Sequence, residues 1–304
     1  MKSRRTGRRW GLRQRESAAF YAFMSPAIIG MVFLFAIPLV VTFFLSFTNW
    51  NLLQPPQWVG FSNYVRLLFT PGSDFVNALK NTGYYAIILV PINLSLSLAF
   101  AVLLNNVKVL QRFFRTAFYL PSTIPIVAVV MLWSWLLAPS GLLNQALSAI
   151  GIDGPAWLVD PNTVKNGLII MGVWQFGGSL VLFLAAMQGI PSYFYEAAEL
   201  DGAGPWHRFW SITIPMLSPI ILFNVVTGVI AALQVFAQVF IITGGHNPGA
   251  DMIVPLVYQN AFLFNRMGYA SAMSVIFVIL ILAVTMIILG SSRRWVYYEG
   301  EVDS

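Results

Sequence analysis

Long apolar runs separated by short polar segments dominate the chain. Six of these runs contain about 20 or more residues each, enough for an α-helix to cross about 30 Å of hydrocarbon. They occupy residues 22–47, 82–104, 116–138, 167–190, 214–242 and 269–289, and none of them contains Asp, Glu, Lys, Arg or His. The pattern predicts an all-α integral membrane fold with six transmembrane helices. It divides the chain into a basic arm (1–21), a helical domain (22–292) and a tail (293–304).

The composition agrees with this pattern. Hydrophobic residues make up 58% of the 304 residues and charged residues only 9%, whereas a soluble domain carries about 25% charge. The chain has no cysteine and only two histidines, His207 and His246. A disulfide framework and a thiolate metal site are therefore excluded, and we expect no metal site.

The distribution of Lys and Arg predicts the orientation. Thirteen of the 17 basic residues fall on one side of the predicted bundle. Under the positive-inside rule this side is the cytoplasm, so both termini are expected there. The first apolar run is longer than the hydrophobic region of a signal peptide, which has roughly 7–15 residues, so we expect the run to stay uncleaved. Next to a membrane helix, the basic arm indicates topology and contact with anionic lipid, not nucleic-acid binding.

Several predicted spans contain residues that bend or break helices. These are the prolines at positions 26, 38, 91, 121 and 125 and the glycine pair at 177–178. Bends of this kind allow a cavity between helices. The predicted outer loops 49–81, 139–166 and 243–268 are rich in Gly, Pro, Asn or aromatic residues. We expect short non-helical structure there, at an external face.

Several kinds of chemistry are disfavoured. No carboxylate or histidine lies in the predicted spans, which argues against proton-coupled transport, although sodium could still bind to the carbonyls of broken helices. No Gly-x-x-x-x-Gly-Lys-Ser/Thr phosphate loop is present. The two histidines are predicted to lie on opposite sides of the membrane. We therefore predict that the chain is not an enzyme.

The predicted inward loop, residues 191–215, combines small and acidic residues. A short helix is expected over about Ser192–Leu200, with Ser192 as a possible N-cap and a turn at Gly202. Such a helix would fit a groove on a partner protein. The alternative is an ordinary solvated connector between two spans.

This loop resembles a known motif. Glu196-Ala197-Ala198 and Asp201-Gly202-Ala203, followed by Phe209, Ile212 and Pro215, are similar to the Glu-Ala-Ala loop of permeases in binding-protein-dependent ABC importers. Further matches along the chain resemble the carbohydrate-uptake branch, which imports sugars and glycerol phosphate. They are Val59-Gly60, Asn63-Tyr64, Asn81-Thr82, Pro91, Leu120-Pro121, Trp133, Gly141, Asn144, Thr243-Gly244-Gly245 and residues 268–272. Two departures occur: Ala237 replaces an acidic residue between Phe236 and Gln238, and a third glycine is missing after Gly245.

The resemblance implies a set of partners. Permeases of this kind pair, usually as heterodimers, in a bacterial or archaeal cytoplasmic membrane. Two ATPase subunits, which use ATP and Mg, each receive a coupling helix in a cleft, and an extracytoplasmic binding protein delivers the substrate. The chain itself is expected to bind no cofactor. Carried over by position, the residues of the ATPase contact are Glu196, Ala197, Ala198, Asp201, Gly202 and Ala203.

Uncharged polar and aromatic residues in the spans are candidates for the substrate path, because sugars need hydrogen-bond partners and ring faces. They are Trp174, Gln175, Asn224, Gln234 and Gln238. Hydrogen bonds between helices would explain the same residues. The overall prediction is a permease that works by alternating access. The rival is a stand-alone secondary transporter or channel that needs no ATPase.

Overall fold

The computed structural model describes residues 12–107, 110–244 and 247–297. Residues 1–11 of the basic arm, Lys108, Gly245, His246 and the end of the tail lie outside the described residues. Across the described residues the chain is helical except for one two-stranded hairpin and its turns and loops. The helices are α1 (Leu12–Met31), α2 (Ile37–Leu45), α3 (Ser62–Phe69), α4 (Asp74–Asn106), α5 (Gln111–Thr123), α6 (Ile126–Leu136), α7 (Leu142–Ala149), α8 (Val164–Val173), α9 (Gly177–Gln188), α10 (Ser192–Leu200), α11 (Pro205–Arg208), α12 (Ile214–Leu233), α13 (Ala237–Thr243), α14 (Ile253–Tyr258) and α15 (Met267–Ser292).

Five continuous helical spans are long and apolar enough to cross a membrane. They are Ala19–Leu45, Asp74–Asn106, Val164–Gln188, Pro205–Thr243 and Met267–Ser292. Wide π-helical turns at Val32–Ala36 and Phe209–Thr213 join α1 to α2 and α11 to α12. Helices α5 and α6 together are long and apolar enough for a sixth, broken span, so the described chain has five to six spans and the predicted all-α membrane fold is confirmed.

The third predicted span, residues 116–138, is broken, because α5 and α6 meet at a bend of 97°. Pro125 is the N-cap residue of α6, and Ile124 before it is extended, with φ −73° and ψ 133°. Extended backbone is the usual conformation of a residue that precedes proline, since the proline ring disfavours the helical one. Pro121 and Pro91, in contrast, lie inside α5 and α4 without ending them.

The predicted outer loops contain more helix than expected. A hairpin follows α2: strand β1 (Thr48–Asn49) pairs antiparallel with β2 (Gln57–Trp58), with Thr48 opposite Trp58. The expectation of non-helical structure was nevertheless wrong for α3, α7 and α14. In α14 the helical turns continue as a π segment to Leu263. These helices are too short to span a bilayer, so a search for long apolar runs does not detect them.

The core is built around α4. One end of this helix packs Phe75 and Tyr85 against residues of α8, α14 and α15. The other end packs Ala101 and Leu104 against Leu180 and Phe183 of α9 and Leu217 of α12. The first span lies outside this core: none of its most apolar stretch is buried, and it contacts α15 through α2.

Gly177, the first residue of α9, permits a close approach of two helix backbones. A Cβ atom at this position would overlap the carbonyl oxygen of Phe118 and lie 2.9 Å from the Cα atom of Tyr119, both in α5. At the next residue, Gly178, a Cβ atom would meet nothing within 4 Å. Of the two neighbouring glycines, Gly177 is therefore the one at which a side chain would collide with α5.

We expect Gly177→Ala to destabilise the protein by about 1–3 kcal/mol, the usual cost of overpacking, because α5 and α9 would have to separate. Gly178 is the next residue of the same helix, so Gly178→Ala serves as the matched control. The measurement is the midpoint of thermal unfolding in detergent. Equal midpoints for the two variants would contradict the packing described here.

Candidate functional site

Two of the membrane spans are interrupted within their apolar length. A turn at Trp174-Gln175-Phe176 separates α8 from α9, and Gln234-Val235-Phe236 separates α12 from α13. Phe236 leaves the helical region altogether, with φ −132° and ψ −65°. Such breaks disturb the regular ladder of backbone hydrogen bonds, so the freed groups need other partners.

Side chains of α4 supply partners at the first break. The Nδ2 atom of Asn93 donates to the carbonyl of Gly172 at 3.2 Å, and the hydroxyl of Ser97 donates to the carbonyl of Phe176 at 2.8 Å. Asn93 and Ser97 are four residues apart, so they lie on the same face of α4. Ser97 is fully buried. Two side chains of one span thus stabilise the break in another.

A cavity of about 470 Å³ lies between α4, the α8–α9 turn and the α12–α13 break. Every described residue that lines it is uncharged. Its polar lining residues include Asn93, Gln175, Ser179, Asn224, Gln234 and Gln238, and its aromatic ones are Tyr85 and Phe236. Four of the five predicted substrate-path residues therefore share one cavity. Trp174 is not among its lining residues; its ring packs edge-on to Trp133, with the centroids 5.9 Å apart.

The polar side chains that line the cavity differ in whether they already form hydrogen bonds within the chain. The Nδ2 atom of Asn224 donates to the carbonyl of Ile220 at 2.8 Å. Gln234 is exposed at the end of α12. The Oδ1 atom of Asn93 is buried and has no hydrogen-bond partner within the described part of the chain. This arrangement can exchange hydrogen bonds with a neutral polar ligand.

The sequence analysis missed Asn93, Ser97 and Ser179. The signal was present: Asn93 and Ser97 are polar residues at a four-residue spacing within the run 82–104. Polar residues at membrane depth generally face other helices or a cavity. Their contacts could not be inferred, because the glycine pair at 177–178 marked a bend in the fourth span but did not show which helix faces it.

The loop 191–215 has the predicted helix. Helix α10 covers Ser192–Leu200, but Pro191 occupies the N-cap position and no side chain caps the helix, so the predicted Ser192 cap was wrong. As predicted, the chain turns at Gly202, where φ is +79°. The Gly202 amide donates to the carbonyl of Glu199 at 3.0 Å and the Ala203 amide to that of Ala198 at 2.8 Å. A positive φ costs glycine little, which explains its place here.

One face of α10 is fully exposed. Tyr193, Glu196, Ala197 and Leu200 follow the helical spacing, and 91% of Leu200 is accessible. Of the other predicted contact residues, Asp201 and Gly202 are exposed, and Ala198 and Ala203 are half-buried. Trp206 and Trp210, which come next in the chain, are 73% and 53% exposed. The loop therefore presents a continuous stretch of exposed apolar residues beside its acidic ones.

The opposite face of α10 is tied to the rest of the loop. The hydroxyls of Tyr195 and Thr213 are 3.0 Å apart. Arg208 Nη1 lies 3.1 Å from Glu199 Oε2, forming a surface ion pair. These contacts hold α10 against the start of the next span.

The end of the chain also reaches the start of this span. The Tyr297 amide donates to the Ser218 hydroxyl at 2.8 Å, and this hydroxyl donates to the carbonyl of Pro215 at 2.6 Å. Pro219 has no N–H with which to bond the Pro215 carbonyl in the usual helical way. Ser218 therefore replaces the missing bond and at the same time anchors the segment that follows α15.

Comparison with known proteins identifies the family. The model of the binding-protein-dependent transport system inner membrane component matches residues 92–297, which is more than half of the chain. The chain belongs to this family. The predicted resemblance to permeases of ABC importers is thereby confirmed, and so is the location in an inner membrane.

Individual permeases are similar over nearly the whole chain. The identity is 39% to the probable ABC transporter permease protein YesP of Bacillus subtilis (strain 168), over 95% of this chain and 94% of the relative. It is 33% to the lactose transport system permease protein LacF of Rhizobium radiobacter, over 90% and 94%. A solved bacterial alginate ABC transporter, in complex with an alginate pentasaccharide-bound periplasmic protein, matches with a TM-score of 0.82 and 26% identity, over 92% and 96%.

We expect Ser97→Ala to destabilise this permease by roughly 0.5–2 kcal/mol, because the Phe176 carbonyl keeps the Leu180 amide at 3.2 Å but loses its buried interhelical donor. Ser95→Ala is the matched control, since Ser95 is exposed on the same helix. Thermal unfolding in detergent measures both. An unfolding midpoint for Ser97→Ala that is no lower than that of Ser95→Ala would show that the bond to the break contributes nothing.

Proposed function

We propose that this chain is the permease subunit of an ATP-driven importer and carries a sugar or related polyol across the membrane by alternating access. A second permease, two ATPase subunits that use ATP and Mg, and an extracytoplasmic binding protein complete the transporter. The observation that carries the proposal is the cavity of uncharged amide and hydroxyl side chains at the breaks of two spans. The family membership supplies the importer context.

The cavity chemistry supports a carbohydrate substrate. Gln175, Asn224, Gln234 and Gln238 offer both donors and acceptors, as a polyhydroxylated ligand requires. The ring of Phe236 lies at the cavity wall and can pack on the apolar face of a sugar ring. The volume is within the range of about 300–1,000 Å³ that is usual for small-molecule sites. Similarity to permeases for lactose and, at the level of structure, for alginate agrees with this class.

The exposed face of α10 supports ATPase coupling. Leu200 and Ala197 are apolar and accessible, and the neighbouring Trp206 adds further apolar surface. An apolar patch rimmed by acidic residues is typical of a protein contact. Its rear contacts through Tyr195 and Glu199 connect it to the span that carries the α12–α13 break. A movement of the ATPase subunits would thus reach the cavity through one continuous helix, α12.

The proposed cycle needs two states of the bundle. The binding protein delivers substrate to an outward-open cavity, and ATP hydrolysis restores the inward-open state. Orientation with both termini in the cytoplasm places the α10 loop on the ATPase side. Binding energy of ATP and of the loaded binding protein, not a titratable group in the spans, drives the exchange between the states.

We expect Gln234→Ala and Gln238→Ala each to lower substrate uptake roughly two- to tenfold, the effect of one lost hydrogen bond. Uptake of labelled sugars by proteoliposomes containing the whole complex measures this, and relative rates for several sugars report preference. Gln54→Ala, an exposed position in the hairpin connection, is the control. Wild-type rates and preferences in both cavity variants would remove these residues from the path.

We expect Leu200→Arg to weaken ATPase binding at least tenfold, about 1.4 kcal/mol, because a charge replaces an apolar contact. Leu53→Arg is the matched control: Leu53 is 84% exposed and lies in the outer hairpin. Co-purification of the ATPase and binding-protein-stimulated ATP hydrolysis are the measurements. Normal hydrolysis with Leu200→Arg would refute the coupling face. Uptake by the chain alone without ATP would favour a secondary transporter.

A further inference from the structure

Helix α3 has two apolar faces, although it lies between spans. Its inner face carries Leu67, which is fully buried, and Tyr64. Its outer face continues from the preceding residue and consists of Phe61, Val65, Leu68 and Phe69, which are 69%, 54%, 50% and 76% exposed. We call these four residues the outer stripe. No described residue covers it, and so much exposed apolar surface indicates a contact outside the chain.

Hydrogen bonds fix α3 to the end of the first span. The Nδ2 atom of Asn63 donates to the carbonyls of Ser46 and Thr48, both at 2.9 Å. The hydroxyls of Ser46 and Tyr64 are 2.6 Å apart. The first span ends at Leu45, so the start of α3 is held at the level of the last turn of that span. The depth of α3 in the membrane is thereby set.

This level corresponds to the polar layer of the bilayer. The headgroup regions add only about 5–8 Å on each side of the hydrocarbon. The Thr48 hydroxyl donates to the carbonyl of Leu45 at 2.8 Å, so the hairpin begins directly against the helix end. Trp58 pairs with Thr48 across the hairpin. Tryptophan is the residue most typical of this layer.

The outer stripe is continuous with the exposed apolar surface of the first span. The ring of Phe44, which is 55% exposed on α2, lies 5.8 Å from that of Trp58. Trp58 stacks on Phe47 at 5.5 Å, and Phe47 contacts Phe61 edge-on at 5.3 Å. An unbroken aromatic surface therefore leads from the span to the beginning of the stripe.

From these contacts we propose that α3 is an interfacial helix whose outer stripe lies on phospholipid, at the boundary between headgroups and acyl chains. Helix α3 follows the first span and α10 the fourth, so the two lie on opposite sides of the membrane. Phospholipid is the occupant because the stripe extends the exposed apolar surface of a membrane span, at the end where that span leaves the hydrocarbon. Helix α3 would hold the first span, which has little packing of its own, at a fixed depth.

The absence of cysteine makes a direct test possible. Single variants Val65→Cys, Phe69→Cys and Gln54→Cys are labelled with a nitroxide in the whole complex, in vesicles of phosphatidylethanolamine and phosphatidylglycerol. Gln54 is exposed at the hairpin connection and serves as the control in water. Collision of each label with oxygen, which concentrates in lipid, is compared with collision with a water-soluble nickel chelate.

We expect the labels at positions 65 and 69 to collide several-fold more with oxygen than with nickel, and the label at 54 to show the reverse. Nickel access at 65 and 69 equal to that at 54 would overturn the proposal. Shielding from both reagents would also overturn it, because a protein would then cover the stripe. Binding-protein-stimulated ATP hydrolysis verifies that each variant is folded. If Phe69→Cys does not fold, Leu68→Cys replaces it.

Discussion

Backbone groups in hydrocarbon must find hydrogen-bond partners within the protein, and the interior of this permease depends on how that requirement is met at its helix breaks. At the turn between α8 and α9, the carbonyls of Gly172 and Phe176 accept backbone amides and also side-chain donors from α4. Asn93 and Ser97 thereby tie the turn to a neighbouring span. The cavity lies beside this turn.

The same requirement explains the start of α12. Prolines at positions 215 and 219 remove two amides from the helical ladder. Ser218 supplies a hydroxyl to the Pro215 carbonyl and accepts the amide of Tyr297. The loop that carries the exposed face of α10 is therefore followed by a helix start that Ser218 stabilises locally and that Tyr297 contacts from the distant end of the chain.

Much of the architecture could be predicted because the length of an apolar run is set by membrane thickness. The six runs and the limits of α10 followed from such local patterns. The bend of 97° did not, since seven prolines lay in the predicted spans and only the tertiary structure decides that Pro125 ends a helix while Pro91 does not. Helices α3 and α14 were missed because a short apolar helix has no distinctive length.

The candidate site was predicted unevenly for a related reason. Gln175, Asn224, Gln234 and Gln238 stood out as amides in apolar runs, and they line one cavity. Trp174 directly precedes Gln175 in the sequence, but its ring packs edge-on to Trp133. Composition identifies a polar residue at membrane depth. Which side of its helix faces the cavity depends on the neighbouring spans.

The bonds from α4 to the α8–α9 turn also constrain how the bundle can rearrange. Sliding α4 past α8 and α9 would break both hydrogen bonds, one of them at the fully buried Ser97. These two spans should therefore move as one rigid body. The α12–α13 break differs, because Phe236 leaves the helical region and Gln234 is exposed. The hinge of the bundle thus belongs to the span that begins at the α10 loop.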